Sequence, residues 1–153
     1  RTSNLFLDGK IIKDELRRFD VTKAVSPVSA QPSVREYLVY LQRKAADIHP
    51  RLVTEGRDQG SVVFPDAKAR FYLTASVQER ARRRSVDMTK VDDLGFDEIL
   101  NSILKRDEFD MNREIGPLIC PDGAIVINSD GVSKEDVVNL MIGKVKVLLE
   151  NDE

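Results

Sequence analysis

Leu52-Val53-Thr54, Ala69 to Ala75 and Ala124 to Ile127 are three short apolar runs separated by stretches long enough to hold helices. Strands joined by tight turns pair antiparallel, whereas strands separated by crossover helices pair parallel. The spacing therefore predicts an α/β layered fold with a parallel sheet flanked by helices. Pro65-Asp66 and Ser76 bound the middle run, and Asn128-Ser129-Asp130-Gly131 closes the last.

Helix signals fill the intervals. Ser33-Val34-Arg35-Glu36 and Ser76-Val77-Gln78-Glu79 both match the S-x-x-E capping box. Val34, Leu38 and Leu41 follow the first on one helical face, and that helix is expected to stop near His49-Pro50. Phe96, Ile99, Leu100, Ile103 and Leu104 repeat the spacing after a break at Asp92-Asp93-Leu94-Gly95, and Ser133 opens a last helix through Leu148. Near the start, Asp8-Gly9 separates two apolar runs and predicts a hairpin, with a helix from Asp14 and a loop between Pro27 and Pro32.

The charge balance narrows the function classes. Lys plus Arg number 24 and Asp plus Glu 26, a net charge of −2, so no global basic excess drives the chain onto nucleic acid or anionic lipid. Any anion site is local. No apolar run reaches the ~20 residues of a membrane span, and Cys120 is the one cysteine, which excludes an intrachain disulfide and fits a reducing cytoplasm. With no Cys or His neighbours at metal spacing, Cys120 reads as a half-buried small hydrophobe. His49, the one histidine, reads as a helix C-terminal residue.

Three constellations can carry chemistry. Arg106, Asp110 and Arg113 fall within about 60° of arc on one helix face, a stripe that suits a ligand bearing both hydroxyls and phosphate. The same spacing also describes a solvated ion-pair ladder. Arg80, Arg83 and Arg84 share a face and repel one another unless an anion or carboxylates offset them. A polyanion site, an exposed basic turn compensated by Glu79 and Asp87, and a nucleic-acid patch all remain open for them. Glu55-Gly56-Arg57-Asp58-Gln59-Gly60-Ser61 follows the first apolar run, at the strand end where open α/β sheets place ligands. A plain charged turn is its other reading.

In order along the chain, Ser26, Val34-Arg35-Glu36, the stretch Glu55 to Ala67 (EGRDQGSVVFPDA), Glu79-Arg80-Ala81-Arg82-Arg83-Arg84, and Arg106-Asp107 through Asp110 to Arg113 with Pro117-Leu118 resemble the cytidylate kinase family of nucleoside monophosphate kinases. The resemblance implies a P-loop-kinase-like parallel sheet flanked by helices. It assigns residues 1–50 to a small monophosphate-binding insert and residues 51–153 to the remaining core, with an Arg-bearing lid at about 77–95. It implies transfer of the γ-phosphoryl of ATP to CMP or dCMP with Mg²⁺, by a cytoplasmic monomer that takes these nucleotides and neither nucleic acid nor membrane as partners. Ser26, Arg35 and Asp58 would then read cytosine, Arg106 and Asp110 the sugar, and Arg57 and Arg113 the monophosphate. Arg80, Arg83 and Arg84 would be lid residues facing ATP, with Arg57, Arg80 and Arg84 the catalytic set, and Glu55 would meet Mg²⁺ through water.

The sequence departs from that family in one respect above all. No G-x-x-x-x-G-K-[ST] phosphate loop occurs: Gly9-Lys10 lacks a glycine at position 4, and Gly143-Lys144 lacks one at 138. The resemblance therefore implies that the first strand and its phosphate loop are missing from this chain, which by itself is expected to be inactive. The alternative is a nucleotide-binding or interaction module of the same descent that has lost catalysis. Met111 stands where the family usually has a small hydroxyl residue, and Ser61 where Thr is common.

Overall fold

The computed structural model describes residues 5–87 and 94–150. The hairpin forms as expected: β1 (Leu5–Leu7) pairs antiparallel with β2 (Lys10–Ile12). Asp8 and Gly9 both take positive φ, 49° and 76°, the twist a two-residue hairpin turn requires and that Gly supplies without steric cost. A 3₁₀ turn over Asp14–Arg17 leads into α1 (Phe19–Ser29), and α2 (Pro32–Ile48) follows almost directly.

Two local readings need correction here. Pro27 lies inside α1 and not in a loop; its missing N–H removes a bond only from the final turn, and the helix ends two residues later at Ser29. Ser33 does not cap α2, because Pro32 occupies the first helical turn and Gln31 is the N-cap, with no side-chain cap bond. The far end is as read: His49 is the C-cap, its N–H donating to Ala45 O at 2.9 Å.

β3 (Phe71–Thr74) and β4 (Ile125–Asn128) pair in parallel, Phe71 opposite Ile125 through Thr74 opposite Asn128. Bonds from Ile125 N–H to Arg70 O and from Ser129 N–H to Thr74 O, each 2.8 Å, carry the ladder one step past both ends. Leu52-Val53-Thr54 is not a strand: no described strand lies beside it to complete a ladder, and Val53 is 94% exposed. The fold is thus α/β with a parallel pair, joined by α3 (Val77–Asp87) and α4 (Phe96–Asn112) and followed by α5 (Lys134–Glu150). α3 packs on α4, and α1 touches both α2 and α4. Among the described residues, Val63, Ala81, Ile99, Ile127 and Val137 are the buried apolar ones. Among the described residues no helix is long and apolar enough to cross a membrane.

The Ser76 box is half made. Ser76 Oγ accepts from Glu79 N–H at 3.2 Å, but Ser76 N–H donates to Asp130, which ties the start of α3 to the end of β4. Glu79 turns instead to Arg82 and Arg83, whose guanidinium N–H groups reach its carboxylate at 2.8 Å and hold its pKa at about 2, against an ordinary 4.5. A carboxyl lowered on folding adds stability above its unfolded pKa and loses it as pH falls through the folded one. Glu79→Gln is therefore expected to flatten the loss of stability between pH 4.5 and about 2. Denaturant midpoints measured across that window check it, and parallel curves for wild type and variant count against it.

The Ser133 cap forms on both sides, its Oγ accepting from Asp136 N–H at 3.1 Å and donating to the Asp136 carboxylate at 2.7 Å. The α4 break falls at Gly95, whose N–H donates to Glu98 at 3.0 Å; Asp92 and Asp93 lie outside the described residues. Cys120 is exposed, not half-buried, because the segment between α4 and β4 carries it along the surface just before Pro121.

Candidate functional site

Buried polar side chains are unusual in a domain with so few buried apolar ones, and here they converge. Arg35 from α2, Asp58 from the loop after Thr54, Asp110 from the last turn of α4 and Arg113 just beyond it are all buried. A π-helical turn over Gln59–Val63 positions the loop: Asp58 O accepts from the N–H groups of Val62 and Val63 at 2.9 and 3.1 Å. The Asp58 carboxylate is thereby turned to Arg35 Nη1, with which it forms a close buried ion pair. Arg35 Nε meanwhile donates to Ser29 O at 3.0 Å, fixing the guanidinium at the end of α1.

Asp110 is 1% exposed and stands among three guanidinium groups. Arg57 Nε lies 3.1 Å and Arg106 Nε 3.7 Å from its Oδ2, and Arg113 Nη1 lies 3.6 Å from its Oδ1. Arg113 has left the helix, with φ −67° and ψ 143° at the C-cap, so the expected stripe is two helical residues plus one from the following turn. Charge is paired here, yet hydrogen bonding is not: Asp110 Oδ2, Arg106 Nε and Arg113 Nη2 are buried without a hydrogen-bond partner. Orphaned groups of this kind cost free energy unless a ligand or water satisfies them. The Arg106 guanidinium is pushed below its usual pKa by burial and then by Arg57, and that of Arg113 by burial and then by Arg35. An anion would relieve both.

Two residues at this site carried no role in the sequence reading. Gly116, with φ +59°, accepts from Arg113 Nε at 2.5 Å through its carbonyl and lies against the Arg35–Asp58 pair, where a Cβ would come within 2.9 Å of Asp58 Oδ2. Asp107 on α4 accepts from Arg80 Nη1 at 2.5 Å and lies 3.9 Å from Arg57 Nη2. Its place between Arg106 and Asp110 is the signal that could have found it; Gly116 offers only a glycine before Pro117.

The arginines of α3 part company. Arg80 joins the cluster through Asp107, and Arg84 is close enough to Arg106 to lower its pKa while reaching Thr22 Oγ1 on α1 at 3.3 Å. Arg83 turns away, to Glu79 and to Ser129 at the end of β4, and Arg82 stays exposed beside Glu79. Ser26 is buried on α1. Glu55 is exposed in the loop before the π turn. The described residues contain no cluster of three or more His, Cys, Asp or Glu side chains able to hold a metal by themselves.

The family model for cytidylate kinase matches residues 1–147. A curated cytidylate kinase of Caldanaerobacter subterraneus is 44% identical over 135 residues, covering 88% of this chain and 60% of the relative. Those of Alkaliphilus oremlandii and Shewanella loihica are 41% and 40% identical, covering 94% and 92% of this chain and 66% and 61% of the relatives. The chain thus spans a little under two thirds of the length of the curated relatives it matches.

Proposed function

The chain belongs to the cytidylate kinase family, and on that premise we propose that the protein transfers the γ-phosphoryl group of ATP to CMP or dCMP in the cytoplasm. Residues 1–50 serve as the acceptor-binding part, 51–153 as core, and about 77–95 as lid. The observation that carries this reading is the set of buried, unpartnered atoms on Asp110, Arg106 and Arg113. A ribose or deoxyribose hydroxyl donates to Asp110 Oδ2 and accepts from Arg106 Nε, and a monophosphate accepts from Arg113 and Arg57, so one nucleotide satisfies all three. Arg35, Asp58 and Ser26 read cytosine, whose amine donates to Asp58 and whose ring acceptors take the Arg35 and Ser26 donors.

Arg80 and Arg84 approach from α3 and neutralise charge on the migrating phosphoryl, while Arg83 takes a part in the lid away from the acceptor cluster. Magnesium in such sites keeps most of its waters and takes one or two carboxylates beside the substrate phosphates. Glu55, exposed and uncommitted to the cluster, fits as a carboxylate reached through water and not as a member of a closed cage. The metal, when bound with ATP, offsets negative charge on the phosphates.

Titration of CMP, dCMP and UMP into the chain tests the acceptor reading, with UMP expected to bind roughly ten- to a hundredfold more weakly because its carbonyl faces Asp58. Asp58→Asn restores a donor at that edge and is expected to narrow the CMP-to-UMP ratio; a ratio left unchanged overturns the assignment of the cytosine edge. The sequence lacks a phosphate loop, which favours a second reading for the isolated polypeptide as a nucleotide-binding module. A coupled ADP-release assay separates them. Turnover of CMP supports phosphoryl transfer, and CMP binding without ADP release supports the binding module.

A further inference from the structure

Arg57 and Arg80 are carried by different elements, one by the loop after Thr54 and the other by α3, and in the proposed function they face different substrates. Among the described residues, Asp107 is the one carboxylate that an ion pair connects to both. Its Oδ2 accepts from Arg80 Nη1 at 2.5 Å, its Oδ1 lies 3.9 Å from Arg57 Nη2, and its side chain is only 14% exposed. Arg80 has a second anchor, Nε donating to Ala75 O at 3.2 Å just past β3, so strand end and helix α4 together set its guanidinium plane. Arg57 is held on its other side by Asp110.

Two guanidinium groups brought to one spot repel, and the partly buried setting strengthens that repulsion. A carboxylate between them cancels it while leaving the remaining N–H donors of each free for phosphate oxygens. Neither sugar nor base contact is required of Asp107, since Asp110 and Arg106 already present the unpartnered atoms beside it. We infer that Asp107 is a positioning residue: it holds the α3 guanidinium of Arg80 against the acceptor-side guanidinium of Arg57, so that donor and acceptor phosphates meet donors fixed in one geometry. This rests on the proposed phosphoryl transfer to CMP. An ordinary ion pair that only fastens α3 to α4 would have different kinetic consequences.

The experiment is a double-mutant cycle in this protein with Asp107→Asn, Arg80→Ala and the pair, read as separate kcat and KM for CMP at saturating ATP. Asp107→Asn is expected to lower kcat about tenfold or more while KM for CMP stays within about twofold, since misplacing a phosphate-facing donor affects the transition state more than ground-state binding. In the Arg80→Ala background the same change is expected to do little further. Additive losses, or a rise in KM matching the fall in kcat, overturn the inference. A wild-type protein that does not phosphorylate CMP overturns the proposed function instead, and a second measurement then decides the positioning role by itself. The Nη–H resonances of Arg57 and Arg80, the groups that face Asp107, are expected to exchange faster with solvent in Asp107→Asn than in wild type, and unchanged exchange at both sites overturns it without reference to turnover.

Discussion

Asp110→Ala is expected to destabilise the fold by about 3 kcal/mol and to abolish measurable CMP binding. Breaking a buried ion pair from one side costs roughly 3–5 kcal/mol, because the abandoned charge stays out of water. Here the abandoned charges differ. The Arg57 and Arg106 side chains are 37% and 36% exposed and can be screened by solvent, whereas Arg113 is 4% exposed and cannot. The penalty therefore falls mainly on Arg113 and lies at the low end of that range. Asp110→Asn keeps the volume and one accepting oxygen, and it isolates the charge from the packing. Denaturant titrations of both variants, with and without inorganic phosphate, check this: phosphate is expected to recover more stability in the variants than in wild type, because it supplies the missing counter-charge. Equal recovery in all three proteins would show that the cluster is not short of negative charge once Asp110 is gone.

Parts of this site were legible because they are written in local spacing. Arg106 and Asp110 are one helical turn apart, and periodicity alone places them together. Arg113 joins them for a different reason, since the chain leaves the helix at Asn112 and the turn brings the guanidinium back; helical spacing pointed to the right partner through geometry it does not share. The parallel pairing of β3 and β4 was legible in the same way, from two apolar runs and the helices between them. Leu52-Val53-Thr54 shows the limit of such patterns. An extended trio becomes a strand only beside a neighbour, and composition does not carry the neighbour's presence. Arg80, Arg83 and Arg84 of α3 share a helix face, but their ends are sorted by Asp107, Ser129 and Thr22, which come from three other parts of the chain. Long side chains on one face diverge when distant acceptors compete for them. Asp107 is marked in the sequence only by its place between Arg106 and Asp110, and Gly116 only by the proline after it, because the importance of both lies in what reaches them across the fold.

Gly116→Ala is expected to lose both stability and CMP affinity, and a second glycine separates the two causes. At φ +59° any L side chain is strained, by about 1–2 kcal/mol relative to glycine. Gly131, with φ +67°, has the same backbone requirement but nothing within 4 Å of where its Cβ would stand. Gly131→Ala therefore carries the strain alone. At Gly116 the added methyl would also lie 2.9 Å from Asp58 Oδ2 and 3.2 Å from Arg35 Cδ. Neither neighbour is a free side-chain end: Asp58 and Arg35 are buried and committed to each other, and Arg35 is tied further to Ser29 O. Something in the pair has to shift, and loosening a buried ion pair brings a cost of the order of 1–3 kcal/mol on top of the strain. The two variants should accordingly differ in denaturant midpoint by an amount that reports the crowding and not the backbone. Their difference in CMP affinity should be larger still, because the pair that moves is the one proposed to read the base. Calorimetric titration of CMP into both variants is the check, with Gly131→Ala expected to bind like wild type and Gly116→Ala at least about tenfold more weakly. If both retain wild-type affinity, the Arg35–Asp58 pair does not face the nucleotide, and the cytosine edge must be sought elsewhere in the cluster.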